Sequence, residues 1–328
     1  MTAAAAPLGR VVAVVVTYNR AELLQACLDG LAAQTRPVDA VVVIDNASSD
    51  GSGDVARAHP VGAEVHTLGV NVGGAGGFAA GMALALTGLD PDWLWLMDDD
   101  TVPTPSALAE AEHAVARYPG DRDRLVVLSS TAVWIDGRVH PMNVSRQRID
   151  ARAGERAAAR AVDGRAVRTA SFVAIMLRAD SCREHGLPLA DYFIWGDDTE
   201  YSARLLRDGL GLQLRGSVVE HRTKAFGSWQ SEPGPRFYND VRNKIWLLTR
   251  STAFRWYERV LYGGSVVIGW LSTLRRSQHR GDLWGHARRG MRDAVRGGPR
   301  PTSEVLAGLG SVADAVALVE RAAGKRRQ

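Results

Sequence analysis

Uninterrupted apolar runs alternate with amphipathic stretches along the first hundred residues. Val11–Val16 is a β-branched run without a polar break, the pattern of a strand buried on both faces of a parallel sheet. Thr17-Tyr18-Asn19-Arg20 closes it, and Ala21–Ala33 then carries Leu23, Leu24, Cys27, Leu28 and Leu31 at helical spacing. Val41–Ile44 predicts a second buried strand, ending in Asp45-Asn46-Ala47-Ser48-Ser49-Asp50-Gly51-Ser52. A short helix around Asp54–Ala58 and a strand near Glu64–Leu68 follow. Next come the glycine-rich Asn71–Gly77, a helix from about Phe78 to Thr87, and a strand at Trp93–Met97. This β-α-β-α-β order predicts an α/β fold with a doubly wound, parallel sheet.

Leu125–Ser130 and Ser171–Leu177 read as further strands. Arg146–Arg168 is rich in Ala and Arg without clear periodicity, which predicts a mobile surface loop or a short helix. Gly196-Asp197-Asp198-Thr199-Glu200 precedes a helix to about Arg207. Past His221 the character changes: Phe226–Arg242 reads as a loop, and Asn243 to about Leu274 as helical. We therefore expect a catalytic domain over 1–225 and a helical region over 226–328. Val260–Leu274 is uncharged, but its length corresponds to only about 22 Å of helix, short of a roughly 30 Å hydrocarbon core. With Arg275, Arg276 and Arg280 beside it, it suits an interfacial helix on the inner face of a membrane; packing on the protein or in a homo-oligomer contact is the equal alternative.

Composition narrows the class. At 328 residues with 46% hydrophobic and 23% charged content, there is ample material for a globular core. The net charge of +4 does not imply nucleic-acid binding. Cys27 and Cys182 are isolated, with neither disulfide nor metal spacing, and suit a reducing cytoplasm. Met1–Leu8 is Ala-rich without a basic n-region, unlike a signal peptide.

The chemistry concentrates at Asp98-Asp99-Asp100, directly after the Trp93–Met97 run. Adjacent carboxylates repel one another, and a divalent cation such as Mg²⁺ or Mn²⁺ would relieve that. A solvated acidic loop or a helix N-cap is the bland alternative. Ligands of open α/β sheets bind beyond strand C-termini, so Thr17–Arg20, Asp45–Ser52 and Asp98–Asp100 could share one crevice. Asp45 could accept a hydrogen bond from a base or ribose, or close an Asx-turn. Gly74-Ala75-Gly76-Gly77-Phe78-Ala79 contains a degenerate G-x-G-x-x-A, but it does not follow the first strand as a dinucleotide fingerprint would. Its glycines suit close backbone approach to a nucleotide, or a helix N-terminus facing negative charge. Asp197 and Glu200 have capping-box spacing; a carboxylate there could equally deprotonate a hydroxyl. His221 is a candidate imidazole ligand or a structural histidine.

Taken together, the strand ending in Thr17-Tyr18-Asn19-Arg20, the segment Val42–Ser52 and the aspartate triad resemble family 2 glycosyltransferases of the GT-A fold. Asn71-Val72-Gly73-Gly74-Ala75-Gly76-Gly77-Phe78 and Trp195-Gly196-Asp197-Asp198-Thr199-Glu200-Tyr201 look most like actinobacterial cell-wall galactofuranosyltransferases. The resemblance covers roughly Arg10–Arg222. It implies a Rossmann-like, mostly parallel sheet and an inverting transfer from a nucleotide-sugar, with UDP-galactofuranose the expected donor. It further implies that Asp98, Asp100 and His221 hold Mn²⁺ or Mg²⁺, that Asp198 is the catalytic base, and that Trp195 and Asp197 contact a glycan acceptor, polyprenyl-linked in such systems. Thr17, Tyr18, Asn19, Asp45, Asn71, Gly73, Gly74, Asp98 and Asp99 would line the donor nucleotide. A rhamnosyl or other hexosyl transferase using a dTDP- or UDP-sugar is the near alternative. A sugar-phosphate nucleotidylyltransferase would carry a GGxGTR-like loop after the first strand, which Thr17–Arg20 is not. A non-catalytic nucleotide-sugar-binding relative is disfavoured by the presence of both acidic centres.

Overall fold

The computed structural model describes residues 8–227 and 233–326. The expectations for the leading segment up to residue 7 and for the centre of the 226–242 loop lie outside the described residues. The first half follows the apolar pattern closely: β1 (Val11–Thr17), α1 (Ala21–Ala32), β2 (Ala40–Asp45), α2 (Ser52–Ala58), β3 (Glu64–Thr67), α3 (Gly73–Gly88) and β4 (Trp93–Asp98). β1 is buried along its whole length because both its faces are covered. Val12, Val14 and Val16 face the α3 layer, while Val11, Ala13 and Val15 face α1. Each such valine contributes roughly 1.5–3 kcal/mol of burial, which is why the run tolerates no polar residue.

The glycine-rich segment opens a helix, one of the two roles expected of it, since α3 starts at Gly73 rather than near Phe78. A Cβ on Gly77 would lie 2.6 Å from Val16 Cγ1, so the missing side chain lets α3 lie directly against β1. The helix is apolar on nearly all sides because a C-terminal helix covers its outer face.

Beyond β4 come β5 (Thr101–Pro103), α4 (Ala107–Arg117) and β6 (Leu125–Val133). The stretch expected to be a mobile loop or a short helix holds a short helix, α5 (Ala153–Ala161), and two strands that were not expected, β7 (Arg146–Gln147) and β8 (Gly164–Thr169). β8 pairs antiparallel with β10 (Leu210–His221), a long-range pairing with no local periodicity to announce it. The expected strand Ser171–Leu177 is a 3₁₀ turn at Phe172–Ala174 and then β9 (Ile175–Arg178), followed by α6 (Ala179–His185) and α7 (Asp197–Leu205).

The strands form one sheet in the order β3-β2-β1-β4-β9-β6-β10-β8-β7, with β5 pairing β10. The sheet is mixed: β3, β2, β1 and β4 are mutually parallel, whereas β9 runs antiparallel to both β4 and β6. The C-terminal region is helical, with α8 (Phe237–Thr249), α9 (Trp256–Arg276), α10 (Arg280–Arg296), α11 (Thr302–Val305) and α12 (Ser311–Arg326). The predicted helix over Asn243–Leu274 is two helices, broken between Arg250 and Arg255, and α8 reaches back to Phe237 into the expected loop. Leu306, Val312, Val316 and Val319 pack into the α3-side core.

Candidate active site

Sheet register brings the strand ends level. Thr17 sits opposite Asp45, and Val16 opposite Asp98, so three polar clusters open onto one edge. Directly after the triad, β5 pairs with the end of β10 and sets Thr101 against His221. Arg222 N–H donates to the Asp100 carbonyl at 2.8 Å. This pairing is what carries His221 to the aspartates.

The three aspartates have different surroundings. Asp99 is turned inward: its Oδ2 accepts from Thr17 Oγ1 at 2.9 Å and Tyr18 N at 3.2 Å, and its Oδ1 from Arg20 at 3.1 Å. Thr17 is itself buried, its hydroxyl committed to Asp99. Arg20 also pairs with Asp100 at 2.7 Å. Burial would raise the Asp100 carboxyl, but His221 and Arg20 outweigh it and hold the group below the usual carboxylate range. Burial, followed by the Asp100 and Asp99 charges, pushes Asp98 well above that range, and the Asp197 carboxylate adds to the push. The two acidic centres, a hundred residues apart in sequence, therefore share one electrostatic environment.

Among the described residues, no three His, Cys, Asp or Glu side chains converge as a ready-made metal cage. The observed set is a partial one. Asp100 Oδ1 is buried without a hydrogen-bond partner. His221 Nε2 lies 3.2 Å away, within ion-pair distance but out of line for a hydrogen bond. Carboxylate oxygens with one imidazole suit Mn²⁺ or Mg²⁺, which take one or two carboxylates and complete their shells with substrate phosphate and water. Asp100 and His221, with Asp98 beside them, fit such an ion.

Around the expected nucleotide side, Tyr18 is exposed, and Asn19, at φ +53°, accepts from Ser49 N at 2.8 Å. Asp45 is buried; its Oδ1 accepts from Ser48 N at 2.9 Å and its Oδ2 from Thr67 Oγ1 at 3.1 Å, so it does close a turn. Asn71 Oδ1 accepts from Gly73 N at 2.8 Å. Asn46 clamps this loop from below, donating to Gly73 O at 3.0 Å and accepting from Val72 N at 2.9 Å. Gly73, at φ +75°, meets the Phe193 carbonyl so closely that a Cβ would lie 2.1 Å from that oxygen. Gly74 follows in the first turn of α3.

On the opposite side, Phe193 (φ +61°), Trp195 (φ +69°) and Gly196 (φ +88°) form a run of left-handed backbone leading into α7. Strained residues of this kind persist only when their surroundings over-determine them. Here Asn243 of α8, fully buried, directs its side-chain amide at the carbonyls of Tyr192, Ile194 and Trp195 at 2.8, 3.0 and 2.8 Å. Asp197 and Asp198 then occupy the first turn of α7. Burial, then the Asp198 charge, pushes Asp197 up to about 8. Burial also raises Asp198, against hydrogen bonds from Thr199 and Ser171. A close carboxyl pair of this kind has one member protonated and one ionised near neutrality.

The sequence matches Glycosyl transferase family 2 over residues 12–182. The chain belongs to that family. It is 30% identical over 297 residues to the Galactofuranosyltransferase GlfT1 of Mycobacterium tuberculosis (strain H37Rv), covering 84% of this chain and 92% of that protein. The match to Galactofuranosyltransferase GlfT1 of Mycolicibacterium smegmatis is also 30% identical, over 61% of this chain and 66% of that one. Among solved structures, S. aureus TarS 1–349 in complex with UDP superposes with a TM-score of 0.59 at 14% identity, covering 97% of this chain and 88% of that chain. The mannosyltransferase PcManGT from Pyrobaculum calidifontis, in complex with GDP-Man and Mn²⁺, gives 0.52 at 17% identity, covering 99% and 90%. The chain is thus a glycosyltransferase with the GT-A fold and a helical C-terminal region.

Sequence reasoning passed over Asn46, Asn243, Asn143, whose Oδ1 lies 2.8 Å from His221 Nδ1, and Ser171, whose Oγ accepts from Asn143 Nδ2 at 3.3 Å. Asn46 lay inside a motif that could have flagged it. The other three act across long sequence separations and carry no local signal.

Proposed function

We propose that this glycosyltransferase moves galactofuranose from UDP-galactofuranose to a hydroxyl of a cell-envelope glycan, polyprenyl-linked in the simplest case, with inversion at the anomeric carbon. The observation that carries this reading is the 30% identity to a galactofuranosyltransferase along 84% of the chain, together with the electrostatic contact between the two acidic centres. Asp98, Asp100 and His221 would hold a divalent ion, which when bound supplies Lewis-acid stabilisation of charge on the departing diphosphate. Tyr18, Asn19, Asp45, Asn71, Gly73 and Gly74 flank the nucleotide, while Thr17 and Asp99 act from beneath by fixing the β1 end. Asp198, ionised, takes the acceptor hydroxyl proton as that oxygen attacks from the face opposite the diphosphate. Asp197, protonated near neutral pH, donates a hydrogen bond to the acceptor, and Trp195 offers it an aromatic face. The test is a donor screen with purified protein and Mn²⁺: turnover of UDP-galactofuranose should exceed that of UDP-galactopyranose, UDP-glucose and dTDP-rhamnose. Asp198→Asn should lower transfer at least about 100-fold; activity within a few-fold of wild type removes Asp198 from its role.

The helical region supports a location for this chemistry. Trp256, Val260, Leu261, Val267, Ile268 and Leu271 of α9 are exposed, as is Trp284 of α10, and Arg275, Arg276, Arg280, Arg288 and Arg289 lie exposed beside them. No helix among the described residues is long and apolar enough to cross a membrane. An apolar face edged by arginines suits peripheral docking on an anionic leaflet. Val267→Asp with Ile268→Asp should abolish co-sedimentation with anionic liposomes; undiminished binding refutes the docking.

A further inference from the structure

An open groove of about 1140 Å³ runs along the exposed side of α10, and none of the active-site residues described above is among those lining it. Gly281, Gly285, Arg288 and Arg292 line it at intervals of three or four residues, which sets them on one stripe of the helix. A Cβ at Gly281 or Gly285 would meet nothing within 4 Å, so the glycines leave a floor free of side chains and the arginines follow at its C-terminal end. Gly234 and Pro235, in the turn leading into α8, line it from the other element. Pro235, Leu283 and Met291 give the groove apolar surface, and Asp282 is the one carboxylate among its lining residues, against Arg288, Arg289 and Arg292. Among the described residues the one ion pair of these three arginines joins Arg292 to Asp293 at 3.0 Å. Arg289 Nη2 donates to His286 Nδ1 at 2.6 Å. A guanidinium can only donate, so the ring hydrogen is on Nε2 and His286 brings a further donor to the groove.

Guanidinium groups take phosphate through paired, charge-assisted hydrogen bonds. A single carboxylate offers no oxygen set for a divalent ion, so this groove suits a phosphate group held by cationic side chains alone. That sets it apart from the Asp98–Asp100 centre, where the diphosphate departs and gains charge. A diphosphate that stays bonded through the reaction needs only to be held. The placement of α10 agrees. It packs on α8 so closely that a Cβ at Gly290 would lie 2.7 Å from the Tyr238 carbonyl, and Tyr238 Oη donates to Asp293 at 3.1 Å. Ala294 joins Tyr192 and Trp246 in one apolar cluster, directly before the strained loop that opens α7. At 1.5 Å per residue, Arg292 lies about 3 Å and Arg288 about 9 Å from Ala294 along the axis. Trp284 and Val295, on the neighbouring stripe of α10, are exposed. The groove therefore lies between exposed apolar surface and the acceptor loop, the two places that a lipid-linked sugar has to join.

We propose that the α10 groove binds the diphosphate of the lipid-linked acceptor, with Arg288, Arg289 and Arg292 as its anion contacts and the polyprenyl chain lying along Trp284 and Val295. The glycan beyond the diphosphate then extends past Ala294 toward Trp195 and Asp198. The protein thus has two diphosphate sites of different chemistry, a carboxylate–imidazole one for the group that leaves and an arginine one for the group that stays. The inference rests on the lipid-linked acceptor proposed above and names the part of this chain that recognises it.

The experiment uses the full chain without donor, so its result does not depend on which sugar is transferred. Phosphatidylcholine vesicles carry either polyprenyl diphosphate or phosphatidylglycerol at matched charge, and binding is read by co-sedimentation. The wild type should bind the diphosphate vesicles at least about tenfold more tightly, the worth of one charged hydrogen bond. Arg288→Gln with Arg292→Gln should bring the two affinities within about twofold of each other. Gly285→Gln keeps every charge and fills the floor of the groove. It should lose the preference for diphosphate yet bind phosphatidylglycerol vesicles as the wild type does, which a general basic surface would not show. Equal affinity of the wild type for the two vesicles, or a preference that survives in either variant, overturns the inference. In transfer assays Arg288→Gln with Arg292→Gln should raise KM for a polyprenyl-diphosphate-linked acceptor about 10–100-fold with kcat unchanged, and leave transfer to a diphosphate-free alkyl glycoside as it was. A wild type that binds diphosphate vesicles preferentially but transfers nothing from UDP-galactofuranose defeats the donor reading alone.

Discussion

Replacing Asn243 by alanine tests how the acceptor side is held. One side-chain amide faces three carbonyls, at 2.8, 3.0 and 2.8 Å, from Tyr192, Ile194 and Trp195. Two hydrogens serve three acceptors, so the variant forfeits about two bonds' worth of donation to a half-buried loop. At roughly 1–3 kcal/mol for each polar group left without a partner, the loss is about 2–6 kcal/mol. A domain stable by about 5–15 kcal/mol survives that. The loop does not keep its shape as easily: Phe193 and Trp195, at φ +61° and +69°, each store roughly 1–3 kcal/mol of strain that relaxation would release. Asp197 and Asp198 follow directly, and displacing a reacting group by about 1 Å can reduce rate about 100-fold. The expected outcome is a urea-unfolding loss of about 2–6 kcal/mol, kcat lower by about 10–100-fold, and a smaller change in UDP affinity, because the nucleotide side meets this loop only where Gly73 packs on the Phe193 carbonyl. Asn243→Asp keeps the shape but presents only acceptors to three carbonyls, so it should be at least as damaging. Full transfer activity in a destabilised Asn243→Ala would refute the positioning role; a stability loss below about 1 kcal/mol would show that water or the release of loop strain makes up for the amide.

The raised Asp197 carboxyl predicts a pH-dependent stability. The folded chain retains a proton that the unfolded chain releases near the ordinary carboxylate pKa, so this contribution is complete below about 4 and is lost as pH rises to about 8. The slope is at most about 1.4 kcal/mol per pH unit. Asp197→Asn does not titrate, so in metal-free protein its urea midpoint should gain on wild type steadily between those limits; a constant offset would refute the shift. Gly73→Ala places a methyl 2.1 Å from the Phe193 carbonyl at φ +75°, and should cost about 2 kcal/mol or more in thermal or urea unfolding. A neutral result would mean that the two loops separate freely.

What the sequence determined by itself is the part governed by local and periodic rules. Six consecutive β-branched or small apolar residues at Val11–Val16 read as a strand covered on both faces, and polar clusters at successive strand ends suit one edge of a parallel sheet. Those two facts placed Asp45 and the triad at one sheet edge; the role expected of Asp198 came from the family resemblance, since the acidic opening of α7 suits a capping box equally well. Tertiary structure decided the rest, because long-range pairing leaves no period in the sequence. Arg146–Arg168 contains β8, whose ladder partner in β10 lies some fifty residues on. The glycine-rich segment became helix because β1 lies against it. His221 reaches Asp100 only through the β5–β10 ladder, and Asp99 proved to be committed inward to Thr17 and Arg20. Asn243 and Asn143 are ordinary polar residues in sequence. Only their placement beside the Tyr192–Trp195 carbonyls and the His221 imidazole gives them a role, since a hydrogen bond's worth depends on what is left unpaired without it.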